Sequence, residues 1–272
     1  MKYIIDEKSK FFCEMGMKSC SEGEFEKGLK SFNTGLEIDE DNILLLYNKA
    51  VCLMNMGETD KANSIFERTI KLCDKFGKGE FVLGIKANSY IFLKDYKSAK
   101  GVLEDLLKVS PNNVNALINM AQMFNKEFDY EGALPYFDRA LEIDPNNPDA
   151  LMFKGETLYH LFRYDEARQY FDRSFAISKE SPYIWYLKGL CESHFENHET
   201  AVEYYKRAIE IDPDFEKCLF DMSLSLTILG RAEEAKDAFH KMFDLHPENY
   251  DEKSREVADE IVDMLSSHFS KD

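Results

Sequence analysis

The side chains best suited to acid–base or metal chemistry are His160, His194 and His198, with Glu156 one helical turn before His160. Two imidazoles 34 residues apart can share a metal ion, but a site needs further ligands, and no third one at a matching position is evident. Solvation on an exposed helix surface accounts equally well for histidines and carboxylates of this kind. Gly77-Lys78-Gly79-Glu80 lacks the spacing and the hydroxyl of a phosphate-binding loop, and no nucleophile motif is present. The six cysteines, Cys13, Cys20, Cys52, Cys73, Cys191 and Cys218, are too sparse for a disulfide framework and include no C-x-x-C pair. They read as free thiols in a reducing compartment. The expectation is a protein with no catalytic activity, metal or cofactor.

Other side chains suit recognition rather than reaction, and what they can recognise is bounded by charge. The chain has 272 residues, 34 basic against 51 acidic, for a formal net charge of -17. That balance argues against nucleic acid, whose backbone is held by lysine and arginine. The charge is lopsided: residues 1–113 carry net -1 and residues 114–272 carry net -16, so any steering toward a basic partner comes from the C-terminal half. No run of 18 apolar residues exists, which excludes a hydrophobic membrane span. Met1 to Lys8 meets acid after only three apolar residues, so a secretory signal is not expected and a cytoplasmic location is.

The elements that must position these side chains repeat along the chain. Gly28, Ala62, Ala99, Ala133, Ala167, Ala201 and Ala235 recur at intervals of 34, 37, 34, 34, 34 and 34 residues. They define units 9–42, 43–76, 80–113, 114–147, 148–181, 182–215 and 216–249, with Gly77-Lys78-Gly79 outside the register as a longer turn or flexible point. Position four of the units is large and apolar (Phe12, Leu46, Leu83, Leu117, Leu151, Trp185, Leu219). Position eight is small (Gly16, Ala50, Ala87, Ala121, Gly155, Gly189, Ser223). Residues four apart share one helix face, so each unit opens with a helix. Position twenty-four is Phe32, Phe66, Leu103, Phe137, Phe171, Tyr205 or Phe239, the filler between a first helix and a second. Pro111, Pro145, Pro213 and Pro247 end units, and Pro148 and Pro182 open them, as proline does at helix boundaries. Pro135 is read as tolerated near the start of a second helix.

Leu117, Ala121, Phe124, Tyr130, Ala133, Phe137, Ala140 and Pro145 sit at the signature positions of the tetratricopeptide repeat (TPR) family, and the pattern over 9–249 resembles that family seven times over. The resemblance implies an all-α, right-handed superhelical solenoid of seven helical hairpins. Residues 1–8 form a lead-in. In 250–272, Val257, Ala258, Ile261, Val262, Leu265 and Phe269 keep helical spacing with Asp259, Glu260 and Asp263 opposite, which predicts an amphipathic capping helix. Lysines at position seven (Lys49, Lys86, Lys154, Lys188) are expected to snorkel. Trp185, at position four, is expected in the core.

In TPR proteins positions two, five, nine, twelve and thirteen of each first helix usually line a concave groove. Carried onto this chain they give thirty-five residues, of which five are charged where the chain average of 31% would give eleven. Depletion of charge with aromatic and methionine side chains marks an interface core. Partial burial between neighbouring first helices is the alternative explanation, strongest for Tyr47, Met54 and Phe92. The candidate groove is Tyr47, Asn48, Val51, Met54, Asn55, Asn88, Phe92, Asn119, Gln122, Tyr159, Tyr183 and Tyr186, where the amides can pair with a peptide backbone. The clamp for acidic chaperone tails that the family is known for is incomplete: Asn88 and Asn119 match it, but Gly84, Asp149 and Phe153 stand where its cations belong. The expected role is a non-enzymatic scaffold whose groove takes a low-charge or amphipathic peptide segment with basic flanks, with no nucleic acid and no membrane insertion. Self-association, with the groove receiving another copy, is the alternative.

Overall fold

The computed structural model describes residues 7–269. All fifteen elements among them are α-helices. A first compact unit, reaching to Glu127, holds α1 (Glu7–Ser21), α2 (Phe25–Ile38), α3 (Ile43–Asn55), α4 (Thr59–Phe76), α5 (Glu80–Phe92), α6 (Tyr96–Val109) and α7 (Val114–Lys126). A second, from Phe128, holds α8 (Tyr130–Ile143), α9 (Pro148–His160), α10 (Tyr164–Ile177), α11 (Pro182–His194), α12 (His198–Ile211), α13 (Glu216–Ile228), α14 (Ala232–Leu245) and α15 (Glu252–Phe269). Inside each unit every helix packs on the next one in the chain, and alternate first helices also touch: α1 with α3, α3 with α5, α9 with α11, α11 with α13 and α13 with α15.

Local chemistry sets the helix ends. The last residue of a repeat caps the following helix: Asn42, Asn113 and Asn147 accept the backbone N–H of Leu45, Ala116 and Ala150 at 3.1, 2.8 and 3.0 Å. Asp95 and Asp129 cap second helices in the same way. Position fifteen turns the chain between the helices of a hairpin and is left-handed in all seven repeats: Gly23, Gly57 and Gly230, but also Lys94, Phe128, Phe162 and Glu196 at φ 58 to 64°. Glycine adopts that conformation without a Cβ penalty, whereas a phenylalanine there is strained. Pro135 is the sixth residue of α8, one turn deeper than the sequence reading placed it, so its missing N–H removes a helical bond.

The core is built from position eight against position twenty-four. Phe32, Phe66, Phe137, Phe171 and Tyr205 are fully buried, each ring contributing about 1.5–3 kcal/mol by its removal from water. A Cβ on Gly16, Gly155 or Gly189 would stand 2.3 Å from Phe32, 2.6 Å from Phe171 and 2.4 Å from Tyr205. Two expectations about this core are corrected. Trp185 is only half-buried, donating its indole N–H to Lys179 O at 2.9 Å and meeting Phe175 edge-on. Three of the lysines at position seven turn to carboxylates: Lys86 donates to Asp74, Lys154 is buried, donates to Asp138 and to Tyr170 Oη, and lies over the Tyr170 ring, and Lys188 donates to Asp172. Asp138 and Asp172 are at position twenty-five of the preceding hairpin, so these pairs bolt one hairpin to the next. Glu192 likewise joins Arg168 and Asn197 rather than its helical neighbour Lys188.

Two substitutions separate close packing from helix propensity. Gly189→Ala forces Tyr205 to move and is expected to lower unfolding free energy by about 1–3 kcal/mol. Gly101→Ala, on the exposed side of α6 with nothing within 4 Å of the added carbon, is expected to raise it by about 0.5–1 kcal/mol. Urea denaturation followed by circular dichroism measures both; equal effects of the same sign would contradict the packing account.

Candidate functional site

In the first unit the recognition side chains fall into two layers. Tyr47 and Phe92 close over the buried Phe66 ring, with centroids 6.0 Å from Tyr47 to Phe66, 6.1 Å from Tyr47 to Phe92, and a parallel stack at 4.9 Å between Phe66 and Phe92. Val51 and Met54 pack against the same cluster, half-buried, and Asn55 is exposed. These apolar side chains form a floor rather than free anchors. Asn48 is held by its own helix, donating to Leu44 O at 2.9 Å and to Cys13 Sγ at 3.4 Å. Burial raises the pKa of that thiol to about 11 and of Cys52 to about 12, which keeps both protonated near neutrality.

A hydrogen-bonded amide pair joins two first helices beside this floor: Asn119 on α7 donates from Nδ2 to Asn88 Oδ1 on α5 at 2.9 Å. Next to it α5, α6 and α7 enclose an open cleft of about 480 Å³, where Asn88, Asn113, Asn115 and Asn119 face Phe81, Ile85 and Leu106. Gly84, at groove position five, leaves the room that a side chain would fill; no atom lies within 4 Å of a Cβ placed there. The cleft lining carries one charged residue, Glu80, whose carboxylate accepts from Asn113 and is held below its usual range by that bond. Gln122 lies half-buried one turn further along α7. An amide-lined, nearly neutral cleft with apolar walls can pair the N–H and C=O groups of an extended chain.

The second unit is built differently. Tyr183 donates its hydroxyl to Glu156 on α9, and Tyr186 donates to Asp221 on α13 at 2.9 Å. Tyr183, Tyr186 and Phe215 form a ring cluster with centroids 4.9 to 6.2 Å apart. Tyr186 is 5% exposed, so it belongs to the core and not to an open groove as the sequence reading had it. Tyr159 is half-buried beside Tyr164 and His194, and burial pushes its hydroxyl up to about 12. Burial also raises the pKa of Asp221, with the Tyr186 bond partly offsetting it. His160 stacks on Tyr130 and His194 on Tyr164, one histidine per hairpin, so each imidazole has an aromatic neighbour of its own.

Sequence reasoning passed over Phe128, Phe162 and Asn113. Phe128 and Phe162, 79% and 78% exposed, occupy the left-handed turn position; their signal was a bulky residue where three other repeats carry glycine. Asn113 lines the cleft beside Asn115, which stands at groove position two.

The Asp221 environment predicts a pH dependence. A carboxyl whose folded pKa lies above its unfolded value weakens the fold as pH rises through that interval. Asp221→Asn keeps an acceptor for Tyr186 and removes the charge. Its melting temperature is expected to match the wild type near pH 3.5 and to exceed it increasingly up to pH 7, read by calorimetry across that range; a difference independent of pH would contradict the assignment.

Family models described as tetratricopeptide repeat match residues 45–74, 86–148, 124–191 and 182–215. TPR repeat-containing protein YsoA of Bacillus subtilis is 28% identical over 95 residues, which are 35% of this chain and 28% of that protein's length. Among solved structures, the APC/C hetero-tetramer Cut9–Hcn1 matches with TM-score 0.73 at 17% identity, over 92% of this chain and 50% of that one. A tetratricopeptide repeat protein from Parabacteroides merdae matches with TM-score 0.62 at 15% identity, over 96% of this chain and all of the other. Seven hairpins with a small residue at position eight facing a large apolar residue at position twenty-four, four family-model matches and these structural likenesses lead to one conclusion: the chain belongs to the tetratricopeptide repeat family.

Proposed function

We propose that the chain is a non-enzymatic scaffold for protein–protein interaction, and that the α5–α7 cleft of the first unit receives an extended peptide segment of low charge. The observation that carries this reading is the Asn88–Asn119 hydrogen bond at the border of the amide-lined cleft. Two amides held in place by one another present their remaining donors and acceptors in fixed positions, which lowers the ordering cost of binding. Tyr47, Val51, Met54 and Phe92 support that edge from below, while Asn55 and Gln122 extend it. The basic flanks expected of the ligand rest on the acidic balance of the chain, 34 basic against 51 acidic side chains. Self-association is a second reading, favoured by α1, whose Phe11 and Met15, four residues apart, are both exposed.

The test is affinity capture from a matched lysate by the full chain, with mass spectrometry, against Asn88→Ala/Asn119→Ala and a folded Gly84→Leu that fills the cleft. Each single amide loss is expected to weaken the captured partner by about 1 kcal/mol, roughly five-fold, and Gly84→Leu to abolish capture while leaving the melting temperature within a few degrees. Equal capture by all three chains would remove the cleft from consideration. Sedimentation equilibrium of the full chain decides the second reading: a monomer at tens of micromolar excludes it.

A further inference from the structure

The last first-helix face of the second unit differs from the amide cleft in kind. α15 does not lie as its sequence pattern suggests. Asp259 and Asp263, read as solvent-facing, turn onto α14: Asp259 meets His240 at 3.0 Å and Asp263 meets Lys236 at 2.7 Å, and Arg255 meets Asp244 at 2.7 Å. His240 is at position twenty-five of its repeat, so Asp259 takes the place that Lys154 and Lys188 take on their preceding hairpins. α15 therefore occupies the position of a first helix, in register with α13, and the two pack directly.

That register puts Val257 and Ile261 in line with Phe220 and Leu224, at groove positions five and nine. Phe220, Leu224 and Ile228 on α13, and Val257, Ile261 and Met264 on α15, are all exposed, from 37% at Ile228 to 62% at Met264. Six large apolar side chains on two adjoining helices form an unpartnered face of the size that marks an interaction site. Its outer flank carries Glu252, Glu256 and Glu260, one per turn of α15 and all exposed, with Lys217 and Lys253 as the cations on the same faces. The surrounding unit, residues 128–272, has 16 basic against 32 acidic side chains.

We propose that this α13–α15 face docks an amphipathic helix of a partner protein, apolar along one stripe and flanked by lysine or arginine. The face offers no amide or hydroxyl among its six apolar residues, so it cannot satisfy the backbone of an extended segment; a helix satisfies its own. Ridges of residues four apart on two packed helices make the groove into which a third helix fits. The acidic flank selects basic residues beside the apolar stripe and disfavours an anionic membrane surface. This is a second docking place on the scaffold proposed above and rests on that reading.

The experiment pans a random 18-residue peptide display library on the full chain, then measures the synthetic enriched consensus, fluorescently labelled, by anisotropy. Enriched sequences are expected to carry apolar residues at i, i+3, i+4 and i+7 with lysine or arginine beside them. Leu224→Glu/Ile261→Glu is expected to weaken the consensus peptide at least ten-fold. Glu256→Gln/Glu260→Gln, which leaves the apolar face intact, is expected to weaken it about three-fold at 50 mM salt, and the difference is expected to vanish at 500 mM. Enrichment without basic residues, or unchanged binding to both double variants, would overturn the proposal. Peptides lost on Asn88→Ala/Asn119→Ala but kept on Leu224→Glu/Ile261→Glu would overturn it while leaving the cleft reading standing. A dimer of the full chain that Ile261→Glu dissolves would assign the face to a second copy instead and equally overturn it.

Discussion

The approach of two helices within each hairpin is closer than ordinary side chains allow, and the other features of the structure follow from it. A glycine or alanine at position eight lets the ring at position twenty-four lie against the first helix, and the buried Phe32, Phe66, Phe137, Phe171 and Tyr205 show how little freedom remains there. Because the inner faces of both helices are consumed in that contact, the first helix has only its opposite side left for neighbours and ligands.

Stacking uses a different chemistry from pairing. Lys154 and Lys188 lie over or beside aromatic rings and donate to an aspartate of the preceding second helix, so charge is buried only with its partner supplied. On α15 the same location carries Asp259, beside His240. Burial of Val262 in the core of the second unit, with Asp259 and Asp263 turned to α14, leaves Val257 and Ile261 uncovered.

The two units use their first helices for different ends. In the first, Gly84 opens space and asparagines fill its border, giving a surface that is polar without being charged. In the second, carboxylates sit on tyrosine hydroxyls above an aromatic bed, and the terminal helices present bare apolar ridges beside acid. One repeat architecture thus carries two surface chemistries on its first helices.

The sequence alone determined the period, the helical hairpin and the close-packed pair at positions eight and twenty-four, because each is a pattern of residues at fixed spacing and is repeated seven times. It also singled out Asn88 and Asn119. What it did not determine was which groove positions are buried and which are exposed. Tyr186 falls in the core because α13 brings Asp221 to its hydroxyl, and Tyr47 and Phe92 serve as a floor because Phe66 lies beneath both. Nor could apolar spacing on α15 tell the buried stripe from the exposed one, since Val257 and Ile261 follow the same helical period as Val262. The rotation shows only in contacts between helices: Val262 enters the core of the second unit, while Asp259 lies beside His240 and Asp263 meets Lys236. A residue's neighbours within its own helix are set by the chain, whereas its neighbours on the next helix are set by packing that no single stretch of sequence contains.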